Sequence, residues 1–447
     1  MASAAEQLAS NLNFGAFAKA DELKRRLLFT ITMLIVYRFC TYVPLPGIDP
    51  EALANFFEQQ RSMGGSMLDV VNVFSGGALQ RMSIIALNIM PYISASIIMQ
   101  LLTTMSPTLS ELKKEGEAGR KKINQYTRYG TVLLTAVQGY GLALTLQSGG
   151  MVSAENAGAF FQASTVITLV GGTMFLMWLG EQITARGVGN GISLIIFSGI
   201  VAELPRALAQ TATLGLSALA GIALIAGAIG IIYVIVWVER AQRRILIQYP
   251  KRQMGNRMFQ GDTSHLPLKL NTAGVIPPIF ASSILLMPMT VAGFAGGQGG
   301  GGPAWVNTFT ALLGPGQPLY LLLFAAGIIF FSFFYTSIVF NPADTAENLK
   351  KHGGFVPGIR PGKRTAEYIE YVLVRLTVVG SLYLAIICTI PEILRARSVI
   401  PFALGGTSLL IMVNVTMDTV AQIHSHLLAH QYEGLIKKSK LRGGRKK

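Results

Sequence analysis

Charge is scarce in this chain. Of its 447 residues only 13% are Asp, Glu, Lys or Arg, whereas 51% are apolar. Soluble domains carry about 25% charged residues, so the composition excludes a set of water-solvated domains and reads as a polytopic membrane protein. Cysteine is nearly missing: Cys40 and Cys388 both fall in apolar runs as small packing residues and define neither a disulfide framework nor a metal site. Catalytic motifs are missing too, with no H-E-x-x-H zinc site, no phosphate-cradling Walker A loop and no nucleophile elbow. The histidines, His265, His352, His424, His426 and His430, lie between or beyond the apolar runs, where none can serve a hydrolytic site buried in a membrane. The last three lack a carboxylate or thiol at ligand spacing. RGVGNG, residues 186–191, misses the dinucleotide-binding spacing and reads as a tight turn. The chain therefore calls for no cofactor or metal, and is not expected to be an enzyme.

Long apolar runs are what the chain has in abundance. About 20 mostly apolar residues are needed for a helix to cross hydrocarbon, and ten stretches qualify, near 26–43, 83–104, 128–147, 161–180, 190–212, 216–238, 273–294, 318–340, 372–391 and 400–423. The first follows Lys24-Arg25-Arg26 but runs into Pro44-Leu45-Pro46-Gly47 without a small-x-small cleavage site, so it reads as a retained span. Lys and Arg crowd into every second connection. The amino-terminal tail, the even-numbered connections and the carboxy-terminal tail hold 29 of the 37; the odd-numbered connections hold five, and Arg38, Arg128 and Arg375 fall at spans. Positive residues are retained on the cytoplasmic side, which predicts that both termini are cytoplasmic.

The expected fold class is thus an all-α polytopic membrane protein of ten transmembrane helices. Division near residue 214 leaves five spans in each half, 26–213 and 214–423, flanked by tails 1–25 and 424–447. Five is odd, so the halves begin on opposite sides of the membrane, the arithmetic of an inverted repeat with a pathway between halves. The sixth connection, 239–272, and the eighth, 341–371, are long and basic; they serve either as topological anchors or as a docking surface for an anionic partner. The Gly-rich run GGQGGGG, 296–302, reads as linker. Between the first two spans, GGSMLDVVNVFSGGALQRMS is too short and too interrupted to span; Met67 to Phe74 forms a short helix hinged by glycine pairs. Its residue pattern alone suits an ordinary interfacial helix.

Span interiors are almost free of ionisable groups, which disfavours a pump or transporter. Arg38, Glu181, Glu203 and Arg375 lie near span ends or within snorkelling reach of the interface, leaving Asp418 as the one candidate for ion coupling. A pathway can instead be closed by apolar side chains that exclude water. Ile89 and Ile93 flank Pro91 four residues apart, and Ile192 and Ile196 repeat that spacing, which places each pair on one helical face. β-branched isoleucine is stiff at χ1, as a gate requires.

Six strings carry a more specific likeness: SGGALQRMSIIALNIMPYISASIIMQLL, KKEGEAGRKKINQYTRYG, TMFLMWLGEQITARGVGNGISLIIF, HLPLKLNTAGVIPPIFASSI, FYTSIVFNPADTAENLKKHGGFVPGIRPG and PFALGGTSLLI. From Leu23 to the last span the chain closely resembles the SecY family, channel subunits of the bacterial protein-export translocon. The resemblance implies a pore ring at Ile89, Ile93, Ile192, Ile196, Ile279 and Ile411. It implies a plug over about 67–81, with Met67, Leu68, Asp69, Val70, Val71, Asn72, Val73, Phe74, Ser75, Gly76 and Gly77 at its heart, displacing the interfacial-helix reading. Ser94, Gln138 and Asn271 match the polar contacts of a lateral gate between the second and third spans and the seventh and eighth. Arg252, Arg257 and Arg360 match the surface that docks the motor ATPase SecA and, through rRNA, the ribosome. Many relatives carry adjacent arginines at the sixth-loop tip where this chain has Asn256-Arg257. The implied partners are SecE, SecG, SecA, the ribosome, signal peptides, nascent chains and the surrounding lipid of the bacterial inner membrane.

The expected function is a passive protein-conducting channel for unfolded secretory chains that also releases apolar segments sideways into lipid. Two rivals remain at this point: a secondary transporter coupled through Asp418, and a membrane-insertion scaffold without a conducting pore.

Overall fold

A computed structural model describes residues 21–62, 72–153, 158–213, 218–249, 252–254, 257–259, 263–285, 312, 317–397 and 405–443. The elements in chain order are α1 (Asp21–Cys40), α2 (Pro50–Ser62), α3 (Met90–Met105), α4 (Pro107–Lys114), α5 (Glu117–Ser148), α6 (Ala159–Arg186), α7 (Gly191–Thr213) and α8 (Ala218–Arg240). Four strands follow, β1 (Gln242–Gln248), β2 (Arg252–Met254), β3 (Arg257–Phe259) and β4 (Thr263–Lys269). Then come α9 (Ile276–Leu285), α10 (Pro318–Val339), α11 (Pro342–Lys351), α12 (Lys363–Arg397) and α13 (Gly406–Gly443). The chain divides into two compact units, Met1–Glu203 with Val415–Lys447, and Leu204–Asn414. Among the described residues, Glu117–Ser148, Ala159–Arg186, Pro318–Lys351 and Lys363–Ile393 are long and apolar enough to cross a membrane by length and composition.

The helices follow the apolar runs but do not share their limits. α5 starts at Glu117 and α12 at Lys363, each well before its apolar run, and α13 continues through the basic tail to Gly443. The second expected span differs most. Residues 84–89 are turns, and regular helix begins at Met90 with Pro91 in its first turn. Proline suits that position because its missing N–H has no intrahelical partner there.

In the first unit the spans pack on small residues. Along α5, Thr127, Thr131 and Thr135 are buried at four-residue spacing. Each hydroxyl donates to the carbonyl four residues back, on Ile123, Thr127 and Thr131, at 3.0, 2.8 and 2.7 Å. Buried hydroxyls so satisfied leave a narrow face. It meets α3 where Gly130 faces Ala95 and α6 where Gly139 faces Leu169. Closest of all, a Cβ on Gly172 would fall on the carbonyl of Ile84, and one on Gly191 would fall on the carbonyl of Gly180.

The second unit adds local β structure to the helical fold. The sixth connection is built as β structure, with β1 antiparallel to β4 from Gln242↔Lys269 to Gln248↔Thr263 and β2 antiparallel to β3 from Arg252↔Phe259 to Met254↔Arg257. Ile245 of β1 and Leu268 of β4 are buried against Val356 and Ile369. Gln248 N donates to Phe355 O at 2.9 Å and Phe355 N to Gln248 O at 3.0 Å, so the sixth and eighth connections form one platform.

Replacing Gly172 with valine is expected to lower the midpoint of thermal unfolding in detergent. Overpacking a close helix contact costs about 1–3 kcal/mol, and an unchanged midpoint would contradict the contact with Ile84.

Candidate functional site

Among the described residues, the segment between α2 and α3 forms no membrane-crossing helix. Of the expected plug, Met67 to Val71 lie outside the described residues. Residues 72–74 are helical and 75–82 are hydrogen-bonded turns, so regular helix stops at Phe74 and the rest of the expected plug is turns. Gly76 at φ 65° and Gly77 at φ 81° take left-handed values open to glycine. Met82 at φ 43° and Asn88 at φ 49° take such values without being glycine; asparagine adopts them far more readily than methionine.

Bent backbone in an apolar setting needs hydrogen-bond partners, and here side chains from the spans supply them. Tyr37 Oη donates to Ser75 O at 3.3 Å, Arg38 Nη1 to Gly76 O at 2.9 Å and Asn88 Nδ2 to Phe74 O at 2.7 Å. Within the segment, Asn72 O accepts from Gly77 N at 2.9 Å and from Ser75 Oγ at 3.0 Å, and Asn72 Oδ1 accepts from Gln80 N at 2.9 Å. Asn72, Phe74, Ser75, Ala78 and Leu79 are all buried. Beyond them, Leu45 N donates to Met82 O at 2.8 Å and Ile84 N to Val43 O at 3.0 Å, strapping the Pro44–Gly47 loop across the segment. Leu79 and Met82 sit in an apolar cluster with Leu53 and Phe57 of α2 and Leu142 and Leu146 of α5.

The isoleucines stand directly after this segment. Ile89 caps the start of α3, and Ile93 N donates to its carbonyl at 3.1 Å, so the expected pair does share one face. Ile192 and Ile196 belong to the first turns of α7. Ile89, Ile93, Ile196 and Ile411 are buried, while Ile192 and Ile279 are half-buried. Four of the six belong to the first unit; Ile279, on α9, and Ile411, on α13, belong to the second.

The gate residues divide likewise. Ser94 is buried on α3 and Gln138 half-buried on α5, both in the first unit. Asn271, in the second, is hydrogen-bonded within its own unit: its Nδ2 donates to Glu239 Oε1 at 2.6 Å and to Gly274 O at 3.1 Å, and its Oδ1 accepts from Gly274 N at 3.1 Å. It thereby pins the base of the β structure to the end of α8.

Arg252 and Arg257 occupy strands β2 and β3. Arg360 is exposed at the turn of the eighth connection. Gly358 at φ 80° and Gly362 at φ 105° bracket that turn, and Thr365 Oγ1 donates to Arg360 O at 3.0 Å. Its display is thus fixed by backbone geometry. Asp418, the candidate coupling acid, is exposed on α13.

Sequence reasoning missed the anchors. Tyr37 and Asn88 attracted no notice. Arg38 was assigned to the interface by snorkelling, whereas its guanidinium turns to Gly76 because that carbonyl has left the helical ladder. A polar residue inside an apolar run was the available signal.

Apolar spans closed over a short, non-spanning segment define a polytopic helical membrane protein of the channel class. The family model described as SecY matches residues 83–420, and the chain belongs to the SecY family. It is 55% identical over 429 residues to the protein translocase subunit SecY of Pseudomonas aeruginosa, covering 95% of each chain. Against the Escherichia coli K12 subunit it is 55% identical over 430 residues, covering 94% of this chain and 96% of that one. A solved structure described as a protein conducting channel shares the fold with a TM-score of 0.64 at 18% identity, over 90% of this chain and 92% of the other.

Asn88→Ala removes the donor to a buried carbonyl, at a cost of about 1–3 kcal/mol. A cysteine placed at Ser75 should then react with a membrane-permeant thiol reagent roughly 5- to 100-fold faster than with Asn88 present. An equal rate would remove Asn88 from the set of anchors.

Proposed function

We propose that this chain is the protein-conducting channel of a bacterial inner-membrane translocase, with both termini in the cytoplasm, working as a passive conduit rather than as an enzyme. The observation that carries the reading is the bent segment 72–89, held by side-chain hydrogen bonds among the spans and running straight into Ile89 and Ile93. A plug must be buried yet removable, and a few hydrogen bonds worth about 0.5–1.5 kcal/mol each fit that need better than a packed spanning helix would.

In this reading Ile89, Ile93, Ile192, Ile196, Ile279 and Ile411 form the seal. A chain in transit presents every side-chain chemistry, so an apolar constriction contacts each weakly and recloses by dewetting. A signal peptide or nascent span is itself an apolar helix and leaves sideways through the gate marked by Ser94, Gln138 and Asn271. The driving force comes from partners docking on the cytoplasmic platform of β1–β4 and the eighth connection, SecA or the ribosome, which meet Arg252, Arg257 and Arg360. SecE and SecG complete the assembly. The transporter alternative loses its support, because Asp418 is exposed rather than enclosed in a polar site.

Ion conductance separates a conducting channel from an insertion scaffold. Replacing Ile89 and Ile196 with glycine should raise the leak of reconstituted channels on the order of tenfold or more, since each loses a buried apolar side chain worth about 1.5–3 kcal/mol; an unchanged leak would contradict the seal. Arg360→Glu should reduce SecA-driven export severalfold while the purified assembly remains intact, and undiminished export would remove Arg360 from the docking surface.

A further inference from the structure

We propose that Glu203 is a positioning residue of the closed channel, its carboxylate pairing with Arg81 beneath the Gly76–Gly77 turn to latch the root of the plug. The inference rests on the channel reading above and adds a residue that neither composition nor resemblance assigned.

Three observations carry it. Glu203 belongs to α7, a helix of spanning length, yet its side chain is only 10% exposed. A buried carboxylate in such a helix is expensive without a counter-charge and marks function when present. Its Oε1 lies 4.0 Å from Arg81 Nη2, and the same guanidinium stacks over the Tyr42 ring at 4.2 Å. The plug root is laid directly upon this pair: a Cβ on Gly77 would stand 2.5 Å from Glu203 Oε1 and 2.9 Å from Arg81 Nη2. Just below, a Cβ on Gly199 would stand 2.7 Å from Phe74 O and 3.2 Å from Gly76 N.

The placement of these groups along α7 gives the pair its role. Ile192, Ile196, Gly199 and Glu203 follow one another at helical spacing on a single face. The face that supplies two seal isoleucines therefore continues through the glycine that receives the plug to the carboxylate that holds it, about 10 Å beyond Ile196 at 1.5 Å per residue. In the closed state the carboxylate is buried and the guanidinium only 30% exposed, so the attraction is less screened than in water; once the plug leaves and water enters, both charges are hydrated and the attraction falls. The pair thus holds the closed state without resisting the open one.

The test is the ion leak of the purified, reconstituted translocon. Glu203→Gln keeps the size of the side chain and removes its charge, and should raise the leak on the order of tenfold, the loss expected for a partly buried pair; Arg81→Gln should do the same. The exchanged pair, Arg81→Glu with Glu203→Arg, should bring the leak back toward the parental level, which a merely space-filling role for either residue would not produce. Ile89→Gly serves as the reference for an opened seal. If it leaks while both glutamine variants stay tight, the latch is overturned and the channel reading stands. Should Ile89→Gly stay tight as well, the seal itself is wrong and the latch falls with it. Glutamine variants that leak without relief from the exchanged pair also overturn the charge latch.

Discussion

Backbone that leaves the helix inside an apolar protein must have its carbonyls and amides met by something other than water. Much of the first unit is arranged around that requirement. Phe74, Ser75 and Gly76 present three successive carbonyls outside any helical ladder, and Asn88, Tyr37 and Arg38 each donate to one of them. The Pro44–Gly47 loop straps the same segment from the other side through Leu45 and Ile84. Small residues make the fit possible, because the carbonyl of Ile84 lies where a side chain on Gly172 would begin.

In the proposed channel, two kinds of contact divide the work at this place. Apolar contacts are weak, numerous and indifferent to sequence, which suits a constriction that must close on any chain and release it. Hydrogen bonds and the Arg81–Glu203 pair are few and directional, which suits a segment that must return to one position. Neither kind can replace the other: a polar constriction would retain some chains, and an apolar plug root would leave its bent backbone unpaired.

The second unit solves a different problem, the display of positive charge on a firm base. The sixth connection was long enough to be a floppy loop, but β1 and β4 pair along seven residues and bury Ile245 and Leu268 against Val356 and Ile369. Asn271 closes the base onto Glu239. Resemblance placed Asn271 at the lateral gate; its hydrogen bonds show what it does in this conformation, which is to join the β structure to α8 and to the start of the α9 segment.

How much was legible beforehand follows from the range of each interaction. Spans, their order and the alternation of basic connections could be read because they depend on partition between lipid and water, a property of each stretch by itself. Ile89 with Ile93 and Ile192 with Ile196 were legible for a similar reason, since spacing along one helix decides a shared face. The β structure was missed because QRRILIQ and TSHLPLK are short and become strands only when paired with one another. The anchors were missed for the same cause: Arg38, Asn88 and Glu203 stand out only as polar residues in apolar runs, and the carbonyls or charges they meet belong to other segments of the chain, so nothing local names the partner. Hydrophobic partition was thus determined by the sequence alone, while the partners of Tyr37, Arg38, Asn88 and Glu203 were decided by the tertiary structure, because a hydrogen bond or ion pair between separate segments exists only where folding brings both groups within reach.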